Sequence, residues 1–246
     1  MQMPTARTIP ALLDELAHRW PEREAIVDGA QRYTYPHLRQ AVRDFAKGLY
    51  ALGIRKGDKV AILMGNHAEW IIADLAICSL GAIMVGLNTW VTERELKYLI
   101  NHSDTRLLIT CDQFLKSNYT AMLGELEPHH ETLPGLETIV QFPKATYKTA
   151  LSYGDIVPRG AIVDDATLER MAQAIRPDDV SYILYTSGST STPKGVQLQH
   201  YALIENMWHI GQRMGVTEHD KLWLAVSLFW GLGCENALFN ILTHGA

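Results

Sequence analysis

Short apolar runs alternate with helix-forming segments between residues 59 and 110, and this alternation restricts the possible folds more than any other feature of the chain. Residues 59–64, 82–85 and 106–110 predict buried strands, whereas residues 67–80 and 93–101 predict helices. Strands that are apolar on both faces must be covered on both faces, as in α/β proteins. The sequence therefore predicts an α/β fold in which layered mixed or parallel sheets are flanked by helices.

The segment before this alternation predicts two helices separated by a hairpin. Apolar residues at helical spacing run over residues 9–20 and, more regularly, over residues 35–52, where Gly53 follows as a helix stop. Between them, residues 24–27 and 31–34 predict two strands joined by a tight turn. The N-terminal region therefore contributes both helices and a small β-hairpin.

Residues 128–165 are the least regular part of the chain, because four prolines are spread among polar residues there. We expect a connection between subdomains here, with a short strand near residues 138–141. Residues 1–165 are accordingly expected to form a first α/β subdomain, and residues 166–246 to begin a second one. Further predicted elements are helices at 166–175, 201–214 and 234–242 and a strand at 221–226.

A polar loop, Thr186-Ser-Gly-Ser-Thr-Ser-Thr-Pro-Lys-Gly195, lies between two predicted strands at residues 180–185 and 196–199. Glycines let the backbone approach a ligand closely, and hydroxyl and N–H groups form a concave surface that binds anions. Lys194 adds a point charge suited to phosphate. Runs of this composition are usually only turns, but the ordered Pro-Lys-Gly ending favours a phosphate site. A kinase-like phosphate loop, the alternative, requires a helix directly after Lys194.

Several ordered blocks of this chain resemble the AMP-forming adenylating enzymes, a superfamily that includes acyl-CoA synthetases, aryl-CoA ligases, peptide-synthetase adenylation domains and firefly-type luciferases. The loop just described resembles their phosphate-binding signature, and the resemblance extends from about Leu12 to the last residue. The other blocks that carry it lie at residues 57–66, 80–88, 92–100, 227–233 and 242–246. The resemblance implies the N-terminal portion of the adenylate-forming enzyme fold.

The resemblance also implies a reaction. ATP, with Mg²⁺, activates a carboxylate through an acyl-adenylate, and the acyl group is then transferred to a thiol, usually that of coenzyme A. Such chemistry needs positioning and charge neutralisation more than proton transfer, which suits a loop without carboxylates or histidines. We therefore expect an acyl-CoA synthetase-like ligase whose partners are ATP and a small-molecule carboxylate.

Carried over residue by residue, the resemblance implies roles for the whole loop. Lys194 is the expected catalytic residue. The hydroxyl of Thr190 is the expected Mg²⁺ ligand, with Thr186 as the alternative. The residues expected to bind the nucleotide phosphates are Thr186, Ser187, Gly188, Ser189, Thr190, Ser191, Thr192, Lys194 and Gly195.

A second group, Phe229, Trp230 and Gly231, lies where the family lines its acyl pocket. Many relatives have histidine at the position of Trp230, so its apolar bulk indicates an apolar or aromatic acyl group. A core aromatic beside the start of a helix is the alternative. Asn66 and Asn88 are expected to be turn or cap residues rather than ligands.

The chain departs from the family pattern in two ways. Ser191 stands where the family usually has glycine, which costs on the order of 1 kcal/mol if the position needs positive φ; Ser191→Gly is therefore expected to tighten nucleotide binding. The family's adenine-binding block, ribose-binding aspartate, hinge and C-terminal lysine are not present in these 246 residues. We expect the front part of such an enzyme, inactive alone, with a non-enzymatic module as the alternative.

Relatives bury much of this surface against later subdomains, so we expect exposed apolar patches near residues 222–228 and 239–242. Such patches favour self-association. The net charge of −5 and the absence of any Lys/Arg-rich run predict no nucleic-acid binding. The three cysteines lack metal-like or redox-like spacing, and with no secretory signal they indicate a cytoplasmic location. Residues 70–87 are apolar but interrupted by Gly81 and Gly86, so we expect a buried core segment rather than a membrane span.

Overall fold

The protein is described here from a computed structural model that covers residues 2–186 and 193–246. The helices are α1 (Ile9–Arg19), α2 (Tyr35–Ala51), α3 (Ala68–Ser79), α4 (Glu93–His102), α5 (Tyr119–Glu125), α6 (His129–Thr132), α7 (Ile156–Arg159), α8 (Asp165–Gln173), α9 (His200–Met214) and α10 (Asn240–His244). A π-helix, Gly231–Phe239, precedes α10, and short 3-10 turns lie at Tyr153–Asp155 and Gly160–Ile162.

The strands are β1 (Glu24–Asp28), β2 (Gln31–Thr34), β3 (Lys59–Leu63), β4 (Ile83–Gly86), β5 (Thr105–Cys111), β6 (Gln113–Phe114), β7 (Ser117–Asn118), β8 (Thr138–Phe142), β9 (Leu151–Ser152), β10 (Val180–Thr186) and β11 (Lys194–Gln199). Seven of them form one sheet in the order β11-β10-β4-β3-β5-β8-β9. Only the β10–β11 pair of this sheet is antiparallel. The predicted α/β class, with a mixed sheet flanked by helices, is confirmed.

The chain reverses its direction across this sheet at β4. It passes from β3 through α3 to β4 on one side, and then through α4 to β5 on the other side of β3. Because such crossovers are right-handed, α3 and α4 cover opposite faces. The side chains of β10 agree with this, since Tyr182 contacts α3 whereas Tyr185, three residues further, contacts α4. In this strand order the reversal lies between β3 and β5, so the carboxyl ends of the parallel strands form the edge at which open α/β sheets bind ligands.

Helix α3 lies in the middle of the core on its face of the sheet. All its residues except Glu69 are buried, as expected for a helix that is apolar all round. It packs against α1 and α2. Residues 70–87, which we expected to be a core segment, are α3 and β4, and none of the helices in the described residues has the length and apolarity needed to cross a bilayer.

Strands β10 and β11 extend the sheet that β3, β4, β5 and β8 begin, because β10 pairs in parallel with β4. The boundary expected near residue 165 therefore separates segments that share one sheet, and the division into subdomains stays a prediction. Lys194 begins β11, a strand and not a helix. This removes the kinase-like phosphate loop from consideration.

The strand predicted at residues 221–226 is wrong. The segment is irregular, and no strand in the described part of the chain pairs with it. A strand forms only where a neighbour satisfies its backbone N–H and C=O groups, whatever its own side-chain pattern.

The exposed patch predicted near residues 239–242 is also wrong, because Phe239 and Leu242 are buried. The expected helix at 234–242 occurs, but as the end of the π-helix followed by α10. Elements that we did not predict are α5, α6, α7, the β6–β7 hairpin, β9 and the two 3-10 turns.

Candidate functional site

The predicted phosphate loop is carried by the hairpin at the edge of the sheet. Thr186 at the end of β10 pairs with Lys194 at the start of β11, and both residues are exposed. The loop therefore begins and ends at two fixed, adjacent positions. The predicted ligands Ser187, Gly188, Ser189, Thr190, Ser191 and Thr192 lie outside the described residues, so their roles stay predictions.

Gly195, the last predicted phosphate ligand, also has a packing role. It faces Tyr185 across the hairpin. A β-carbon at position 195 would stand 3.0 Å from Ile183 Cγ2 and 3.5 Å from two atoms of the Tyr185 ring. The absence of a side chain thus makes room for Ile183, while the Tyr185 ring lies at ordinary contact distance from the start of β11.

Strand β10 of this hairpin runs parallel to β4, so it ends at the same edge of the sheet as β3 and β4. Leu184 of β10 is level with Gly86, the last residue of β4. In open α/β sheets, ligands bind at the carboxyl ends of strands where the chain reverses its direction across the sheet. The loop that follows β10 therefore starts at the ligand-binding edge of the sheet, two strands away from β3 and the reversal.

Asn66, directly beyond β3, fixes the segment that leads to the predicted acyl pocket. Its amide nitrogen donates to the carbonyl of Val226, and its amide oxygen accepts from the backbone N–H of Leu228, each at 2.8 Å. This agrees with a structural role for Asn66. Asn88 is likewise a turn residue, since its side chain accepts from the N–H of Trp90 at 2.9 Å.

At the end of β4, Gly86 allows Phe229 to approach the sheet closely. A β-carbon at Gly86 would lie 3.0 Å from the Leu184 side chain and 3.2 Å from the carbonyl oxygen of Phe229. Leu184 lies 3.8 Å from the corresponding position on Gly231. The structure thus brings Phe229 and Gly231, from the predicted acyl pocket, to the sheet edge that carries the phosphate loop.

Trp90 joins these residues although the sequence did not single it out. Its ring stands edge-on to that of Phe229, with the centroids 5.8 Å apart, and Trp230 packs on Phe229 at 5.0 Å. Phe229 is buried, whereas Trp230 is 42% exposed and Trp90 is 57% exposed. Two tryptophans therefore present apolar surface to solvent on either side of a buried phenylalanine. The sequence could have indicated Trp90 only by its position directly after β4, because the segments that follow parallel strands lie at the ligand-binding edge of the sheet.

Glu235 is the carboxylate beside the predicted acyl pocket. One of its oxygens lies 2.8 Å from the position that a β-carbon on Gly231 would occupy. Partial burial raises the pKa of Glu235 above its usual range. Nothing in the sequence marked this residue, because its place next to Gly231 depends on the turn of the π-helix.

On the face of the sheet that α3 covers, a buried polar cluster joins α3, β10 and the π-helix. Asp74, fully buried, accepts a hydrogen bond from the Tyr182 hydroxyl. Burial raises the pKa of Asp74 to about 8. Cys78 lies 3.8 Å from the second oxygen of Asp74, and the charge of Asp74 also acts on Cys234. The cluster has no exposed member and forms part of the wall rather than of the binding surface.

The predicted Mg²⁺ ligand, Thr190, is outside the described residues. Within the described residues, Asp28, His67 and Glu69 place possible ligand atoms within 4.8 Å of one another. Two of these side chains already accept hydrogen bonds from the protein: Asp28 from the N–H of Ala68, and Glu69 from Gln31. This group serves the start of α3 and is not assigned a metal.

Comparisons with known proteins agree on one family. The family model described as AMP-binding enzyme matches residues 13–246. The putative acyl-CoA synthetase YngI of Bacillus subtilis is 33% identical over 97% of this chain and 46% of its own length. The acyl-CoA ligase SID4 of Ajellomyces capsulatus is 33% identical over 97% of this chain and 41% of its own length. The chain thus spans less than half the length of these relatives.

Solved structures share the fold. The anthranilate CoA ligase AuaEII, crystallised with anthranoyl-AMP, superposes with a TM-score of 0.81 and 25% identity over 100% of this chain and 46% of that one. MbtA of Mycobacterium smegmatis superposes with a TM-score of 0.84 over 99% of this chain and 43% of that one. At 22% identity, the second likeness concerns the fold alone.

Proposed function

Because the chain belongs to the family of AMP-binding enzymes, corresponding to the N-terminal part of the adenylate-forming fold, we propose that it serves ATP-dependent activation of a carboxylate. A carboxylate oxygen attacks the α-phosphorus of ATP, pyrophosphate leaves, and an acyl-adenylate forms. Transfer of the acyl group to a thiol, that of coenzyme A, completes the reaction. The relatives named as acyl-CoA synthetase and acyl-CoA ligase support this proposal.

One observation supports it most directly: the strands that flank the phosphate loop and the aromatic acyl segment meet at one sheet edge. Leu184, two residues before Thr186, contacts the end of β4, where the backbone of Phe229 also lies. A carboxylate held near Phe229 would therefore have its reacting oxygen directed along the edge towards the loop. Bringing two reactants together in this way removes most of the entropic barrier to their reaction.

In this proposal the loop supplies charge neutralisation. The ammonium of Lys194 binds the phosphates as they gain charge, and the hydroxyl and N–H groups from Thr186 to Thr192 surround them. Mg²⁺ would compensate further charge on the phosphates. The hydroxyl oxygens of Thr186 and Thr190 are hard donors that suit this ion, and residues 186–195 contain no carboxylate ligand.

The acyl group in this proposal is apolar or aromatic. Phe229, Trp230 and Trp90 offer an apolar corner with two exposed indole rings, against which a planar or branched acyl group can pack. Fatty-acid metabolism is the proposed context for such a ligase. All three cysteines are free and buried, which suits a cytoplasmic location.

Thermal unfolding of the purified chain with and without MgATP tests the nucleotide site. Nucleotide at 100 times its Kd should stabilise the chain by about 2.7 kcal/mol, and Lys194→Ala should abolish the rise. Lys116→Ala, at an exposed lysine in the β6–β7 turn, is the matched control and should retain it. No stabilisation of the native chain would contradict the proposed nucleotide site.

Measuring the release of pyrophosphate after addition of benzoate or octanoate then distinguishes an active ligase from a module that only binds the nucleotide. Carboxylate-dependent release that needs Lys194 would support a ligase. Nucleotide binding without release would favour the alternative, a non-enzymatic module that keeps the fold. Ser191→Gly, measured by the thermal unfolding with MgATP described above, should tighten nucleotide binding, and unchanged or weaker binding would contradict a cost from Ser191.

A further inference from the structure

Two side chains of α4 reach the start and the end of the phosphate loop. The hydroxyl of Tyr98 donates to the carbonyl oxygen of Pro193 at 3.2 Å. His102 Nδ1 lies 2.8 Å from the hydroxyl of Tyr185. Tyr185 and Pro193 flank the segment 186–192, so one helix holds both ends of the loop.

The contacts form one continuous group of rings. Tyr98 and His102 are one helical turn apart, and their rings pack at 5.1 Å with an interplanar angle of 31°. The ring of His102 meets that of Tyr185 edge-on at 5.7 Å. Because each ring restricts its neighbour, the two hydrogen bonds are held by packing as well as by their own geometry.

The Tyr185 hydroxyl is a suitable hydrogen-bond donor to His102. Burial, together with the nearby Tyr98 and Asp104, raises the pKa of Tyr185 to about 12. The phenol therefore keeps its proton at neutral pH and can donate it to Nδ1 of His102. Gly195 lies opposite Tyr185 across the hairpin, at ordinary contact distance from its ring.

Helix α4 is itself firmly anchored, which makes it a suitable support. A capping box between Thr92 and Glu95 closes its start. Its face formed by Leu96, Leu99 and Ile100 is buried. Side chains that project from such a helix have well-defined positions.

We propose that Tyr98 and His102 are positioning residues that hold the two ends of the phosphate loop ready for the nucleotide. The proposal rests on the proposed function, because it assumes that the loop binds phosphate. Flanking residues that are already held in position need no further ordering when the nucleotide binds, so affinity rises without any new contact to the ligand. Neither residue is assigned a contact with the nucleotide.

The test compares Tyr98→Phe and His102→Ala with the native chain. Hydrogen exchange of the amides of residues 194 and 195 reports on the end of the loop directly, and calorimetry gives the Kd for MgATP. We expect faster exchange at these amides and a Kd raised about two- to tenfold in each variant, the range that corresponds to loss of one hydrogen bond. The midpoint of thermal unfolding should stay close to that of the native chain.

Matched controls come from α9, where Tyr201→Phe and His209→Ala remove the same groups from exposed side chains. Both controls should leave exchange and affinity unchanged. Unchanged exchange in Tyr98→Phe and His102→Ala would overturn the proposal. Faster exchange with an unchanged Kd would also overturn it, since the contacts would then stabilise the hairpin without positioning the site. If the native chain binds no MgATP, the proposed function fails, and exchange alone still tests whether α4 holds the loop.

Discussion

At the scale of single residues, Asp74 is the most unusual group in the core. It is a fully buried carboxyl group with a hydroxyl and a thiol as its neighbours and no cation among the described residues that contact it. Burial favours the neutral form, which explains the rise of its pKa to about 8 from an ordinary value near 4. The protonated acid can also donate a hydrogen bond inside the cluster, so Asp74 is stabilising as an acid and destabilising as an anion.

This predicts a stability that falls towards alkaline pH. A group whose folded pKa is raised binds its proton more tightly in the folded state, so its contribution is complete below pH 4 and is lost as the pH rises through about 8. The neighbouring Tyr182, Cys78 and Cys234 have pKa values raised well above their usual range by burial, so they stay neutral in the folded chain over this window. Asp74→Asn should remove the decline between pH 6 and pH 8, below the ordinary pKa of a thiol, and urea unfolding between pH 6 and pH 9 measures it.

The control for this experiment is Asp155→Asn, at an exposed carboxyl group outside the cluster. It should leave the pH dependence of the native chain in place. A native chain whose unfolding free energy is flat between pH 6 and pH 9 would refute the assignment to Asp74.

At the scale of elements, α4 links the fold to the candidate site. The Thr92 hydroxyl accepts from the N–H of Glu95, while the Glu95 carboxylate accepts from the N–H and hydroxyl of Thr92. Such a capping box satisfies backbone N–H groups that would otherwise lack partners at the start of the helix. The local signal in the sequence is strong, and the predicted helix 93–101 differs from α4 by one residue.

Thr92→Ala should lower the free energy of unfolding by about 1 kcal/mol, the usual effect of losing a helix cap. Asn118→Ala, which removes the cap of α5, is the comparison and should cost a similar amount in urea unfolding. Only Thr92→Ala should also speed amide exchange at residues 194 and 195, because α4 is the helix whose side chains bond to the loop ends. Equal exchange in the two variants would mean that the start of α4 does not influence the loop.

At the scale of the whole molecule, the irregular segment 221–226 leaves apolar surface uncovered. Leu222 is 45% and Trp223 is 89% exposed, and Leu232 of the π-helix is 59% exposed. They lie near a groove of about 490 Å³ between β1, the start of α3, this segment and the π-helix–α10 region. Exposed apolar surface of this kind favours association.

We therefore expect the chain to self-associate as its concentration rises. Trp223→Ser should shift the equilibrium towards the monomer and reduce the binding of a hydrophobic dye. Sedimentation velocity over a series of concentrations measures the association. Val27→Ser, at a half-exposed side chain on β1 that also lines the groove, tests whether the groove or Trp223 alone is responsible. A monomeric chain at high concentration without dye binding would contradict this prediction.

The sequence by itself determined the α/β class, most of the helices and strands, and the position of the polar loop between β10 and β11. These features depend on local patterns: period-two and period-3.6 spacing, helix caps, and an ordered Pro193-Lys194-Gly195 ending. The burial of α3 could be predicted in the same way, because a helix that is apolar on every side has nowhere else to lie. Family membership followed from the same blocks.

Only the tertiary structure decided which of these local features meet. Residues 221–226 have the composition of a strand but no partner among the described strands, because pairing depends on distant segments. Trp90 lies beside Phe229, and Tyr98 and His102 beside the loop ends, because the reversal of chain direction at β4 brings three separate connections to one sheet edge. The burial of Phe239 and Leu242 depended on the packing of the last helices. Local periodicity is encoded within a few residues, whereas contacts between distant residues are fixed only when the strands adopt their order in the sheet.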